Sequence, residues 1–377
     1  MTDRALRLRC LAFATLTLFC ALKLPAQQKK LDEQRRIQME SSVARFMASG
    51  SVPGVSVAVV EGGEYVWSEG FGMADLENFV LATPQTLYRL ASISKSSTAT
   101  TAMQLWERGK LDLDAPVQKY CPAFPQKPWP ITSRQLLGHL EGIRHYKSDS
   151  QDDPEGGNTR HFDDPIEAGL NFFANDPPVA KPGTKFSYST QGFTVIGCVI
   201  EGASGEKYVD VVRKNVLGTS GMTRTQVDDR FAIIPQRTRF YHQDKSGLVV
   251  NAELLDSSYK IPGGGWLSSA DDMARFEVAI LHDVLLRRVT RDVMWTPQRL
   301  ADGSTSEYAL GWGTGKGLGE LDVGHGGGQQ GTSTFFMILP QRETGIVVLT
   351  NMDGADSSKL AMDLMRILIA APAGQTK

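Results

Sequence analysis

The two ends of the chain carry its clearest strand patterns, and the stretch between them reads differently. That separation narrows the possible folds more than any other feature. Near the N-terminus, "GVSVAVVEGGEYVWSEG" alternates valines over residues 55–60, turns at Gly62-Gly63 and returns through Tyr65-Val66-Trp67. Period-two alternation broken by a glycine pair marks a two-stranded hairpin. Near the C-terminus, "TSTFFMILPQRETGIVVLTNM" gives strands at 332–339 and 346–350, joined by a polar loop holding Pro340 and Gly345. An amphipathic helix over residues 29–50 precedes the first hairpin, and another, "SSKLAMDLMRILIAAP", follows the last strand. From Ser92 to about Pro297 the spacing turns helical, broken by Pro- and Gly-rich loops. The pattern predicts an α+β fold: one antiparallel sheet assembled from both chain ends and flanked by helices, with a mostly helical region inserted. The sheet part is expected over about 30–91 and 300–371 and the helical part over about 92–299, within one domain spanning 27–377. The acidic, turn-rich segment 149–165 reads as a surface insertion.

The first 26 residues stand apart. Arg4, Arg7 and Arg9 precede the apolar run "LAFATLTLFCAL", and Ala26 in "LPAQQ" offers a cleavage point. This is the three-part pattern of a secretory signal, and the run is short for a bilayer span. An uncleaved membrane anchor is the alternative. A lipidated Cys20 is disfavoured because Phe19 before it is not small. Residues 1–26 are therefore read as a signal peptide. The mature chain is expected in the periplasm or secreted, with no stable membrane span. It keeps Cys121 and Cys198. Cys198 lies in the apolar "VIGCVI" and reads as a buried thiol. A disulfide is possible in an oxidising compartment, though nothing in the spacing brings the two together. Neither a CxxC nor an HExxH occurs, so no metal and no cofactor are expected. A net charge of -2 without basic blocks argues against a nucleic-acid partner. The spacing says nothing about oligomeric state.

One short stretch carries chemistry. "LASISKSS" places Lys95 three residues after Ser92, where a helical run begins that continues to the stop at Gly109. Alone, a Ser-x-x-Lys is weak; it recurs at Ser204–Lys207 and Ser257–Lys260, and about one copy is expected by chance in a chain this long. The setting of the first copy differs. A helix puts Lys95 one turn after Ser92 on the same face. The Ser-, Thr- and Ala-rich helix implies close packing, and a buried lysine loses its proton more readily. Free N–H groups at a helix start can receive an oxyanion. Ser92 is thus expected both to cap the helix and to act as a nucleophile. The decoys lie in a turn ("ASGEKY") and before a glycine loop ("SSYKIPGGG"). Two further segments complete a set: Tyr188-Ser189-Thr190 before a second helical run, and His325-Gly326-Gly327-Gly328 at the start of a C-terminal strand.

With Ser-x-x-Lys, Tyr-x-Thr and His-Gly-Gly in this order, the chain resembles the serine beta-lactamase and penicillin-binding protein superfamily. It looks most like the class C and D-alanyl-D-alanine carboxypeptidase branch, and within that the LACTB-type serine peptidases, through "ASISKS", "KLDLDAPVQ", "GIRHY" and "YST". The resemblance implies Ser92 as the acylated nucleophile, with Lys95 and Tyr188 sharing proton transfer. It implies Thr190, His325, Gly327 and Gly328 as substrate-binding, with the N–H groups of Ser92 and Gly328 forming the oxyanion hole. The sequence departs from the pattern in Glu141 for a serine, Thr190 for an asparagine and His325 for a lysine. Neutral histidine at 325 lowers the fixed charge that would face a substrate carboxylate.

The expected function is an exported serine hydrolase with peptidase, amidase or esterase activity on a small peptide, ester or lactam-like substrate. A beta-lactamase or cell-wall D-Ala-D-Ala carboxypeptidase is the alternative, and a non-catalytic binding or self-assembling module is another. His139 and His145 read as structural hydrogen-bonding groups. The loop "GWGTGKGLG" lacks the Gly-Lys-Ser/Thr ending of a phosphate loop and reads as a turn. Trp266 and Trp312 are read as cleft walls or core.

Overall fold

The computed structural model describes residues 30–147 and 155–370. The signal-peptide reading of residues 1–26 lies outside the described residues. Seven strands form the main sheet: β1 (Gly54–Glu61), β2 (Glu64–Asp75), β3 (Val80–Leu81), β4 (Gly313–Gly315), β5 (Asp322–Gln329), β6 (Thr332–Leu339) and β7 (Thr344–Thr350). Their spatial order is β3-β2-β1-β7-β6-β5-β4, every neighbour antiparallel. At the centre the two chain ends meet, with Val57 of β1 opposite Val348 of β7. The strongest β formers in the chain, its valine-rich runs, thus occupy the two central strands.

The alternation read from sequence sorts these side chains onto two faces. Val55, Val57, Val59, Ile346 and Val348 pack with Met39 and Val43 of α1 (Glu33–Gly50) and with Leu360, Leu364 and Leu368 of the terminal α5 (Ser357–Ile369). Asp32 caps α1 by accepting from the N–H groups of Gln34 and Arg35. Ala58, Val60, Val347 and Leu349 point the other way, into the larger core with Phe276 and Ile280. Those two belong to α4 (Ala270–Leu281), so the sheet draws this covering helix from the middle of the chain.

The inserted region centres on α2 (Ser94–Glu107) and α3 (Thr190–Ser204), which pack against each other. Small side chains permit that approach, and residues 94–105 of α2 are all buried. A disulfide joins Cys121 to Cys198 of α3, with Cα atoms 5.4 Å apart across 77 residues of sequence. Cys198 is therefore buried but not a free thiol; the pairing was invisible in the sequence because fold alone brings the two together. Trp266 and Trp312 are fully buried core residues and wall no cleft. Among the described residues no helix is long and apolar enough to cross a membrane.

Candidate active site

The site begins where the short strand Tyr88–Arg89 ends. Arg89 is held by Asp228 (Nε to Oδ2, 2.7 Å), which pins the chain just before the turn. Ala91 then adopts a left-handed φ of 46°. A residue with a Cβ holds that conformation only where its surroundings enforce it. Here the enforcing element is β5. Gly327 lies so close that a Cβ on it would sit 2.2 Å from the Leu90 carbonyl oxygen, and Thr334 of β6 donates to the same carbonyl at 3.1 Å. Residues Ala91–Ile93 form a 3₁₀ turn that runs into α2. Ser92 sits on this turn and caps nothing: neither Leu90 nor Ile93, the capping positions, makes a side-chain cap bond. The capping half of the sequence expectation fails because the turn, not a helix end, receives the serine.

Lys95 lies one turn on, fully buried, with its Nζ 3.0 Å from Ser92 Oγ, 3.2 Å from Thr190 Oγ1 and 2.7 Å from the Gly263 carbonyl oxygen. Burial first, and the charge of Lys260 second, hold its pKa well below the usual lysine range. A neutral amine has two protons and one lone pair. It can donate to Gly263 and Thr190 and still accept the Ser92 proton. The Tyr188 hydroxyl also hydrogen-bonds with Ser92, and burial raises its pKa far above that of a free phenol. Of the two candidates for removing the serine proton, Lys95 is the one whose neutral, basic form burial favours, whereas burial favours the protonated phenol of Tyr188.

Tyr188 and Thr190 owe their positions to the start of α3. Ser189 caps that helix, accepting from Gly192 N–H at 3.1 Å. The segment is clamped from outside by two histidines. His139 Nδ1 accepts from Ser189 N–H at 3.1 Å, and its ring lies 4.3 Å from that of Tyr188. His145 Nδ1 accepts from Thr190 N–H at 3.2 Å. Both histidines therefore do the hydrogen-bonding expected of them, and His145 also lines the cleft.

The third motif differs from expectation. His325 is only 7% exposed, with Nε2 2.7 Å from the Tyr308 hydroxyl and Nδ1 2.6 Å from the Gly326 carbonyl oxygen. Burial, aided by Lys95, drives its pKa down to about 3. It is not among the residues that line the cleft above Ser92. Gly327 is likewise buried and serves close packing, whereas Gly328 is open, with nothing within 4 Å of a would-be Cβ. These glycines lie inside β5, not at the start of β6; glycine's poor strand propensity hid that strand. Because β4 pairs only with Asp322–Gly324, the outer edge of β5 at Gly328 is left without a strand partner among the described residues.

A cleft of about 300 Å³ opens above Ser92, lined also by Thr190, His145, Tyr146, Gly328 and Lys260. Sequence reasoning missed Lys260, which belongs to the "SSYK" set aside as a chance copy. No local signal would have found it, since only the fold turns residues 258–264 toward Ser92.

The Beta-lactamase family model matches residues 39–371. The chain belongs to the beta-lactamase family. It is 32% identical over 379 aligned positions to human "Serine beta-lactamase-like protein LACTB, mitochondrial", covering 77% of this chain and 69% of that one. It is 27% identical to "Penicillin-binding protein 4*" of Bacillus subtilis, over 79% of this chain and 68% of that one. Among solved structures, the octameric penicillin-binding protein homologue from Pyrococcus abyssi matches with a TM-score of 0.76 and 29% identity, over 88% of this chain and 77% of that one. As a beta-lactamase family member, the chain is a serine hydrolase with the beta-lactamase/transpeptidase-like fold read from its sequence.

Proposed function

We propose that this protein is an exported hydrolase that cleaves amide or ester bonds through an acyl-enzyme on Ser92. The observation that carries the reading is the fully buried Lys95 amine 3.0 Å from the Ser92 hydroxyl, its pKa held well below the usual lysine range by burial. Ser92 Oγ attacks the substrate carbonyl carbon as its proton passes to Lys95. The N–H groups of Ser92 and Gly328 receive the oxyanion. When the C–N or C–O bond breaks, Tyr188 gives its hydroxyl proton to the leaving group and takes one from the Lys95 ammonium. Water then attacks the acyl carbon as one of its protons passes to Lys95; the bond to Ser92 Oγ breaks, Oγ takes that proton back from the Lys95 ammonium, and the acyl product leaves as an acid.

Peptidase or esterase chemistry is favoured over lactamase or carboxypeptidase chemistry by two features. The Thr190 hydroxyl is engaged with Lys95 and offers no amide, and His325 is neutral and withdrawn. Export is supported by the Cys121–Cys198 disulfide, a bond that persists in oxidising compartments. The test is kinetic. A p-nitrophenyl ester and a peptide anilide should turn over with kcat/KM at least about 100-fold above that for nitrocefin or D-Ala-D-Ala release. Comparable turnover of nitrocefin would replace this reading with the lactamase one. Activity undiminished in Ser92→Ala would remove the acyl-enzyme altogether.

A further inference from the structure

Lys260 is 4% exposed and lines the cleft beside Ser92. Among the described residues its ammonium has no hydrogen-bond or ion-pair partner. What surrounds it is aromatic: Nζ is 5.5 Å from the Tyr146 ring centroid and 5.4 Å from that of Tyr259. An amine withdrawn from water without an acceptor is costly, and proteins normally pair such a group. The nearby charges do not pair it. Arg89 and Asp228 satisfy each other, and Asp228 also meets Arg237. Asp353, a carboxylate on the same lining, accepts from the N–H groups of Gly331 and Thr332. Lys95 is committed to Ser92, Thr190 and Gly263. His325, at the position that would otherwise offer a cation, is buried with both ring nitrogens engaged.

We propose that Lys260 is a specificity residue that binds a carboxylate on the substrate, so that the hydrolase prefers anionic acyl donors or leaving groups. The inference rests on the hydrolase reading above. A single ammonium, with no second cation among the described residues of the cleft lining free to join it, suits a carboxylate better than a doubly charged phosphate. Burial and the like charge of Arg89 bring the Lys260 pKa down to about 7, so an arriving carboxylate meets a group that readily takes up its proton.

Three esters test it: p-nitrophenyl butyrate, which is neutral; p-nitrophenyl hydrogen glutarate, with the carboxylate in the acyl part; and 4-butyryloxybenzoate, with the carboxylate in the leaving group. Each is compared between wild type and Lys260→Met, an apolar residue of similar shape, with Lys260→Gln as a second variant. The variant-to-wild-type ratio of kcat/KM cancels intrinsic leaving-group reactivity. For one anionic ester this ratio should fall at least about tenfold below that for the neutral ester, chiefly through KM; which ester it is locates the carboxylate. Equal losses on all three would show that Lys260 only tunes Lys95, and would overturn the proposal. Calorimetry on Ser92→Ala protein, with and without Lys260→Met, reads glutarate-ester binding without turnover. Lys260-dependent binding with no wild-type turnover would keep the anchor and discard the hydrolase. Turnover without charge preference would do the reverse.

Discussion

The Lys95 amine stands 2.7 Å from the Gly263 carbonyl oxygen, which can only accept a hydrogen bond. That contact aims one amine hydrogen away from Ser92 and leaves the lone pair available to the serine. Lys95→Met, which keeps the bulk, should lower the acylation rate by at least about 100-fold while leaving the melting temperature near that of wild type. In the proposed mechanism the reactive form is the neutral amine. The rate should therefore fall as pH drops through the Lys95 pKa, and because that pKa is depressed the acid limb should lie well below 10.5. A pre-steady-state pH profile of acylation measures both.

Tyr188 should matter as a neutral phenol. Tyr188→Phe removes the hydroxyl that bonds Ser92 and is expected to cost about 100-fold in kcat. The loss should be greater for an amide than for a p-nitrophenyl ester, whose leaving group needs no proton. Parallel kinetics on the two substrates check this; equal losses would assign the tyrosine to positioning instead.

His325 should carry no activity limb near neutral pH, because its pKa lies at about 3. Its effect on stability has a definite sign. The folded pKa is depressed from 6.5, so the folded state binds fewer protons than the unfolded state between those values. Stability linked to His325 is thus present above about pH 6.5 and lost as pH falls toward 3. His325→Gln should flatten this acid-side decline, measured by urea unfolding at pH 4 and 7.

Much of this was legible in the chain. The valine alternation revealed the central hairpin and the strands it pairs with, because a half-buried strand must alternate. The Ser- and Ala-rich helix after Ser92 revealed a buried lysine, because nothing larger packs so closely against α3. What stayed hidden depends on contacts distant in sequence. Lys260 faces the cleft only because residues 258–264 fold back onto α2 and α3. The left-handed Ala91 exists only because β5 presses on the turn, and β5 itself escaped notice behind its glycines. Cys121 and Cys198 meet across 77 residues that no spacing rule connects.

Reduction should expose how much that bridge contributes. Closing a loop of this length stabilises a fold by about 4 kcal/mol in the chain-entropy account. Cys121→Ser with Cys198→Ser should lower the melting temperature by several degrees and reproduce the behaviour of wild type in reductant. An unchanged melting temperature would mean the thiols are unpaired in the protein.

Gly327→Ala should disturb the turn that presents Ser92. A Cβ there meets the Leu90 carbonyl oxygen at 2.2 Å, backbone that cannot swing aside. Overpacking of this kind costs about 1–3 kcal/mol, and denaturant unfolding should show it together with slower acylation. Gly328→Ala, with open space around the new methyl, should leave stability close to wild type.

The central claim is that Ser92 becomes acylated. A fluorophosphonate and a fluorescent penicillin, each incubated with wild type and with Ser92→Ala and followed by peptide mass mapping, test it directly. The account predicts covalent label on the peptide containing Ser92, stronger from the fluorophosphonate, and none on the variant. Folded wild-type protein that takes no label, or takes it on another residue, would contradict it.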